Sequence, residues 1–193
     1  MKVIIAIDPG AEGGIAVRVF GQTVCHAMPD TEGDRLELIR DIKRAADVEH
    51  AECVCVLEEV GGFAGQAQPG SAMFKFGQGF GFLRGVVQTL GIKLELVRPQ
   101  TWQKVFGLGT AASCAKKNDW KNKLKAEAQR RFPDLKVTLK TADALLILEW
   151  ALLVDGRQAS AQGQINFSAG SRKGPAGGRF HQRNKTKIKS ENV

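Results

Sequence analysis

No stretch of the 193-residue sequence approaches the ~20 consecutive apolar residues that a membrane-spanning helix needs. The N-terminus, Met1-Lys2-Val3-Ile4-Ile5-Ala6-Ile7-Asp8, reaches an acid too soon for the apolar core of a signal peptide. A cytoplasmic protein with no membrane contact is therefore expected. Cysteine is sparse. Cys25, Cys53, Cys55 and Cys114 form no C-x-x-C pair, and with only three histidines a zinc site is not expected. Cys53 and Cys55 alternate with valines in an apparent strand and read as reduced, buried, small apolar residues. No internal repeat is present. These absences exclude membrane, disulfide-scaffold and zinc-finger classes.

What is present is an ordinary globular composition, 43% hydrophobic and 25% charged, enough for a real core. The length suits one domain, or one domain with a tail. The net charge is +8, which points to a polyanionic partner. That charge is uneven: residues 1–97 carry −4, 98–131 carry +7, 132–170 carry −1 and 171–193 carry +6. The last segment is rich in Gly, Lys and Arg and buries little, so 159–193 reads as a basic, disordered tail after a domain over 1–158. Such a tail either solubilises the protein or tethers nucleic acid through phosphates.

Residues 2–8 read as a buried strand ending at Asp8. Residues 14–20 and 22–27 complete an opening meander around the turn Pro9-Gly10-Ala11-Glu12-Gly13. Leu36, Ile39, Ile42 and Ala46 recur at helical spacing, with Asp34 as the expected N-cap. The apolar run 53–58 reads as a fourth strand, buried on both faces. Met73, Phe76, Phe80, Leu83, Val87 and Leu90 predict a helix over 71–90, and 93–97 a fifth strand. Helices are expected over 101–106, 116–132 and, after Thr141 as cap, 141–154. This order implies an α/β, ribonuclease H-like fold: a five-stranded mixed sheet, its first three strands antiparallel, with helices on both faces. Within the 71–90 helix, Gly77, Gly81 and Gly85 form one smooth stripe. Each costs about 1 kcal/mol relative to Ala, so something is expected to approach closely: a neighbouring helix, a second copy of the chain, or a nucleic-acid backbone.

Asp8 ends the first strand and Glu58 the fourth. If those strands are adjacent and parallel, both carboxylates emerge at one sheet edge. Asp143 opens the last helix, where the dipole favours an anion. Each acid alone could be a turn, strand-end or helix-dipole residue. Three at matched places would form an oxygen-rich pocket that repels itself unless a cation fills it. Oxygen ligands without His or Cys select Mg²⁺, with Mn²⁺ as a substitute, and such ions activate water for phosphodiester cleavage. Strand alternation sends Glu59 to the opposite side from Glu58.

With these residues in view, the chain resembles the RuvC-type Holliday junction resolvases over roughly 2–154. The resemblance is carried by Ile5-Ala6-Ile7-Asp8-Pro9-Gly10, Val56-Leu57-Glu58-Glu59-Val60, Phe76-Gly77-Gln78 with Gly81, Arg98-Pro99 with Trp102-Gln103-Lys104, and Ala142-Asp143-Ala144-Leu145. It implies that Asp8, Glu58 and Asp143 are metal-binding catalytic acids. It also implies a homodimer that nicks two strands of a four-way DNA junction symmetrically, leaving 5′ phosphates and 3′ hydroxyls. One position departs. Three residues before the last acid, where the family commonly has Asp or His, stands Lys140. A protonated Lys cannot ligate a metal, so either another group completes the second metal site or Lys140 replaces one cation and contacts the scissile phosphate, and the second is expected.

Lys104, Lys116, Lys117, Lys121, Lys123, Lys125, Arg130 and Arg131 form the basic segment, expected to contact phosphates without reading sequence. Phe63, in the Gly-rich loop after Glu58, could wedge into an open junction or simply anchor its loop. Phe74 and Trp120 are weaker stacking candidates. Competing readings are a nuclease acting on RNA/DNA hybrids or other branched DNA, and a junction-binding protein without activity. A nucleotide-binding protein of the actin and sugar-kinase type is a third, but it needs two duplicated lobes.

Overall fold

A computed structural model describes residues 1–59, 61 and 70–169, leaving aside the side chains of Lys117 and of 159–169. The elements run β1 (Lys2–Asp8), β2 (Gly14–Val19), β3 (Gln22–Ala27), α1 (Glu32–Val48), β4 (Glu52–Glu58), α2 (Gly70–Thr89), β5 (Lys93–Val97), α3 (Pro99–Lys104), α4 (Lys117–Arg131) and α5 (Ala142–Ala169), with a single 3₁₀ turn at Ala111–Ser113. The chain divides into a unit over Met1–Arg157 and another over Gln158–Val193.

The five strands lie in the order β3-β2-β1-β4-β5. β1 pairs antiparallel with β2, and β2 with β3, while β4 runs parallel to both β1 and β5. This is the expected ribonuclease H-like sheet. The β2–β3 connection is a two-residue hairpin in which Phe20 (φ 48) and Gly21 (φ 85) both take the left-handed conformation that matches strand twist.

Alternation along the central strands separates two cores. Val3, Ile5, Ile7, Cys53, Cys55 and Leu57 face α1 and α2, packing with Ile39, Ala46, Leu83 and Val87. Ile4, Ala6 and Val56 face the other way, into a core with Trp102, Trp120, Leu124, Ala128 and Leu145–Leu148 from α3, α4 and α5. The cysteines are free, as expected, and burial pushes the Cys53 thiol up to about 11. Both central strands are therefore apolar on each face. Lys2 at the start of β1 pairs with Asp155 of α5.

Three local expectations are corrected. The cap of α1 is Thr31, whose Oγ1 accepts from Asp34 N at 3.1 Å and donates to Asp34 Oδ2 at 2.7 Å. The final helix does not stop at Val154 but continues to Ala169. Helix-favouring Gln158, Ala159, Ala161, Gln162 and Gln164 follow, and no proline interrupts before Pro175. The glycine stripe of α2 meets no neighbouring helix among the described residues, because a Cβ built at Gly77, Gly81 or Gly85 finds open space there.

Candidate active site

The site is built at the carboxyl edge of the parallel pair. Ile7 is in register with Leu57, so Asp8 and Glu58 are the next residues along adjacent strands. Both continue the parity of Ala6 and Val56 and face the side covered by α3, α4 and α5. Asp143 sits in the first turn of α5. Thr141 Oγ1 accepts from Thr138 N at 3.0 Å, and Thr141 N–H donates back to Thr138 Oγ1 at 3.2 Å. That reciprocal pair folds the turn from which α5 starts.

Asp8 and Asp143 are buried, at 9% and 8% exposure. Burial, then the Asp143 charge, pushes the Asp8 carboxyl up to about 6, although Gly10 N–H donates to its Oδ1 at 3.2 Å. Burial and then Asp8 push Glu58 up to about 8, against a hydrogen bond from Trp102 Nε1 to Glu58 Oε1 at 2.9 Å. Burial also raises Asp143, opposed by Lys121. The Asp143 charge thus makes Asp8 harder to ionise, and the Asp8 and Asp143 charges do the same to Glu58.

The turn after β1 leaves no slack around Asp8. Gly13 N–H donates to Gly10 O at 2.9 Å. A Cβ on Gly13 would stand 2.4 Å from the Asp8 carbonyl oxygen and 2.6 Å from its Cγ. Only glycine lets the chain fold back so tightly over that carboxylate.

Among the described side chains, one ammonium stands in the cluster, that of Lys121. Its Nζ lies 3.2 Å from Asp143 Oδ2. Burial pulls it down, but Asp143, Asp8 and Glu58 together hold its pKa above the ordinary value. Lys140, half-buried in the turn that precedes α5, pairs with Glu12, in the turn after Asp8, at 3.3 Å. Glu59 points away from Glu58, as alternation requires, and pairs with Arg98 at 2.9 Å.

The remaining candidates scatter. Lys104 and Lys116 are exposed. Lys104 lines a groove of about 750 Å³ with Gln100, Gln103 and Leu108. Arg130 pairs with Glu127 within α4, and Arg131 pairs with Glu127, with Glu149 and with the Phe106 ring, so Arg131 braces α4 against α5. Trp120 is a core residue at 6% exposure and stacks on no base, whereas Phe74 is 73% exposed. Phe63 and the Lys117 side chain lie outside the described residues. Two contributors escaped the sequence reading: Trp102, which anchors Glu58, and Gly13. The signal for Gly13 was its place in Pro9-Gly10-Ala11-Glu12-Gly13, directly after the acid.

The donor set suits a hard divalent ion in kind. It is all oxygen, and Asp143 Oδ1 is buried with no hydrogen-bond partner. As placed, no three His, Cys, Asp or Glu among the described residues surround a single point closely enough to hold an ion. Lys121 on Asp143 and Trp102 on Glu58 each engage one carboxylate oxygen in the meantime.

Sheet order and strand direction place the chain in the ribonuclease H-like class of folds, here with three carboxylates at the edge of its central strands. Among the solved structures it is similar to Thermus thermophilus RuvC, at 17% identity and a TM-score of 0.44, over 75% of this chain and 90% of that one. It is also similar to T. thermophilus RuvC in complex with Holliday junction substrate, at 16% identity and a TM-score of 0.47, over 76% and 90%. No family model and no curated protein matches the sequence.

Proposed function

We propose that this protein is a metal-dependent endonuclease that resolves four-way DNA junctions as a homodimer. The observation that carries the reading is the cluster of buried Asp8 and Asp143 with half-buried Glu58, with an unpartnered carboxylate oxygen and raised carboxyl pKa values. Isolated buried carboxylates are costly, and a cluster that persists at a sheet edge is accounted for by a cation that joins it. The sequence elements shared with the junction resolvases fall at this same edge: Asp8-Pro9-Gly10, Glu58, Trp102 and Asp143.

Asp8, Glu58 and Asp143 would hold Mg²⁺ or Mn²⁺. Bound there, the ion supplies an activated water and stabilises the leaving oxygen. Hydrolysis of the P–O3′ bond at this site would leave a 5′ phosphate and a 3′ hydroxyl. The chain's own groups set this up. Trp102 fixes the Glu58 carboxylate, the Gly10–Gly13 turn fixes Asp8, and the Thr138–Thr141 turn fixes the start of α5. Lys104 and Lys116, with the lysines of α4, supply phosphate contacts, so binding should weaken steeply with salt. The open glycine stripe of α2, flanked by exposed Phe74, is the face we assign to the second copy. The basic segment 171–193 adds non-specific attraction for DNA.

The test is cleavage of a synthetic four-way junction beside linear duplex and RNA/DNA hybrid, with Mg²⁺ or EDTA, for wild type and Asp8→Asn. Paired nicks confined to the junction, lost with EDTA or Asp8→Asn while binding persists, are the expected result. Binding without cleavage would leave a junction-binding protein, and cleavage of the hybrid would move the substrate to that class.

A further inference from the structure

We propose that Lys121 is a tethered cation that holds the carboxylate cluster in the metal-free protein and exchanges with the divalent ion, its freed ammonium passing to a DNA backbone phosphate. Metal loading and DNA binding then strengthen one another. This inference rests on the nuclease reading above and says how that site is regulated.

The backbone of Lys121 is anchored. Its neighbour Trp120 and the following Leu124 and Ala128 are core residues of α4, so only the side chain can move. That side chain lies at the boundary of the core, 35% exposed, with four methylenes of reach. Its ammonium feels all three acids but makes a single hydrogen bond among them, to Asp143 Oδ2. At 3.2 Å that bond is longer than the 2.7–2.9 Å usual for an ammonium on a carboxylate, so the hold is loose. The other oxygen of the same carboxylate, Oδ1, is buried and unpartnered. One ammonium therefore leaves the cluster under-neutralised and one oxygen unsatisfied. A divalent ion carries twice the charge and takes six or more oxygens, so it answers both deficits. It cannot share Asp143 Oδ2 with an ammonium without repulsion, so Lys121 is driven toward solvent, the side from which a phosphate arrives. Because the two equilibria share one residue, each ligand must raise the affinity for the other by the same factor.

Calorimetric titration of Mg²⁺ or Mn²⁺ into the full chain without DNA reads the exchange directly. Lys121→Met is expected to bind the metal roughly tenfold tighter than wild type, the order of one partly buried ion pair, and to melt lower than wild type when metal-free. Lys121→Arg keeps the charge and should bind no tighter than wild type. Lys43→Gln, on the far helix α1, controls for the loss of one positive charge. Lys121→Gln is measured in parallel so that misfolding of the Met variant decides nothing alone. With a linear duplex, the wild-type slope of log affinity against log salt should steepen by about one phosphate contact when Mg²⁺ replaces EDTA, and the Lys121→Met slope should not. If Asp143-dependent metal binding is present but neither Lys121→Met nor Lys121→Gln tightens it, the exchange is wrong and the nuclease reading stands. If wild type binds no divalent ion, or binds it equally well with Asp143→Asn, both readings fall.

Discussion

Metal-free protein is expected to lose stability as pH rises from about 5 to about 8. Unfolded, Glu58 releases its proton near the ordinary 4.5, whereas folded it keeps it to about 8. Between those values the folded state holds a proton that the unfolded state has lost, so raising pH favours unfolding. At about 1.4 kcal/mol per pH unit, Glu58 alone costs about 3 kcal/mol across that interval. Asp8, raised from 3.8 to about 6, has most of its loss below pH 6 and adds about 1 kcal/mol. For a domain of this size each kcal/mol moves the melting temperature by about 2–4 °C, so a drop of roughly 10 °C is expected. Calorimetric melts in EDTA across this range measure it. Glu58→Gln should remove most of the slope, and saturating Mg²⁺ should flatten it by favouring the ionised carboxylates. A melting temperature that is constant or rises with pH in EDTA would refute the burial argument. So would an unchanged slope in Glu58→Gln.

Gly13→Ala forces a methyl group to 2.4 Å from the Asp8 carbonyl oxygen, so the turn must shift. A loss of about 1–3 kcal/mol by thermal melting and a fall in cleavage of about a hundredfold should follow; wild-type values would show that the turn has slack. Trp102→Phe deletes the hydrogen bond to Glu58 Oε1. It should cost about 1–3 kcal/mol and move the pH-dependent melting transition to still higher pH. Gly81→Arg points into open space and should leave the melting temperature of the monomer unharmed while abolishing the dimer in sedimentation; a surviving dimer would place the interface elsewhere. Lys140→Ala breaks an exposed pair with Glu12 and should change junction cleavage less than about threefold, since such pairs contribute little. A tenfold loss would return Lys140 to the catalytic site.

The frame of the fold was legible because its strands carry strong local signals. Gln22–Ala27 and Lys93–Val97 match their expected limits. Asp8 and Glu58 could be brought together from sequence because strand ends and parallel order are both readable. The cation was not. Five lysines lie between 116 and 125, and only the packing of Trp120, Leu124 and Ala128 sets Lys121 at the edge of the buried face. Lys140 stands in the turn before α5, where its pair with Glu12 has no local signal in the sequence. Trp102 follows its strand by five residues, and nothing local showed that its indole would turn back to β4.

Alternation along β1 has an implication for how this chain tolerates change. Ile4, Ala6 and Asp8 answer to the chemistry-bearing face, while Val3, Ile5 and Ile7 answer to the side of α1 and α2, where the open glycine stripe lies. One seven-residue strand thus serves two masters in strict turn. In a saturation library across it, substitutions at the buried Ile4 and Ala6 should unfold the chain as readily as those at Val3, Ile5 and Ile7, and only at Asp8 should activity be lost before folding.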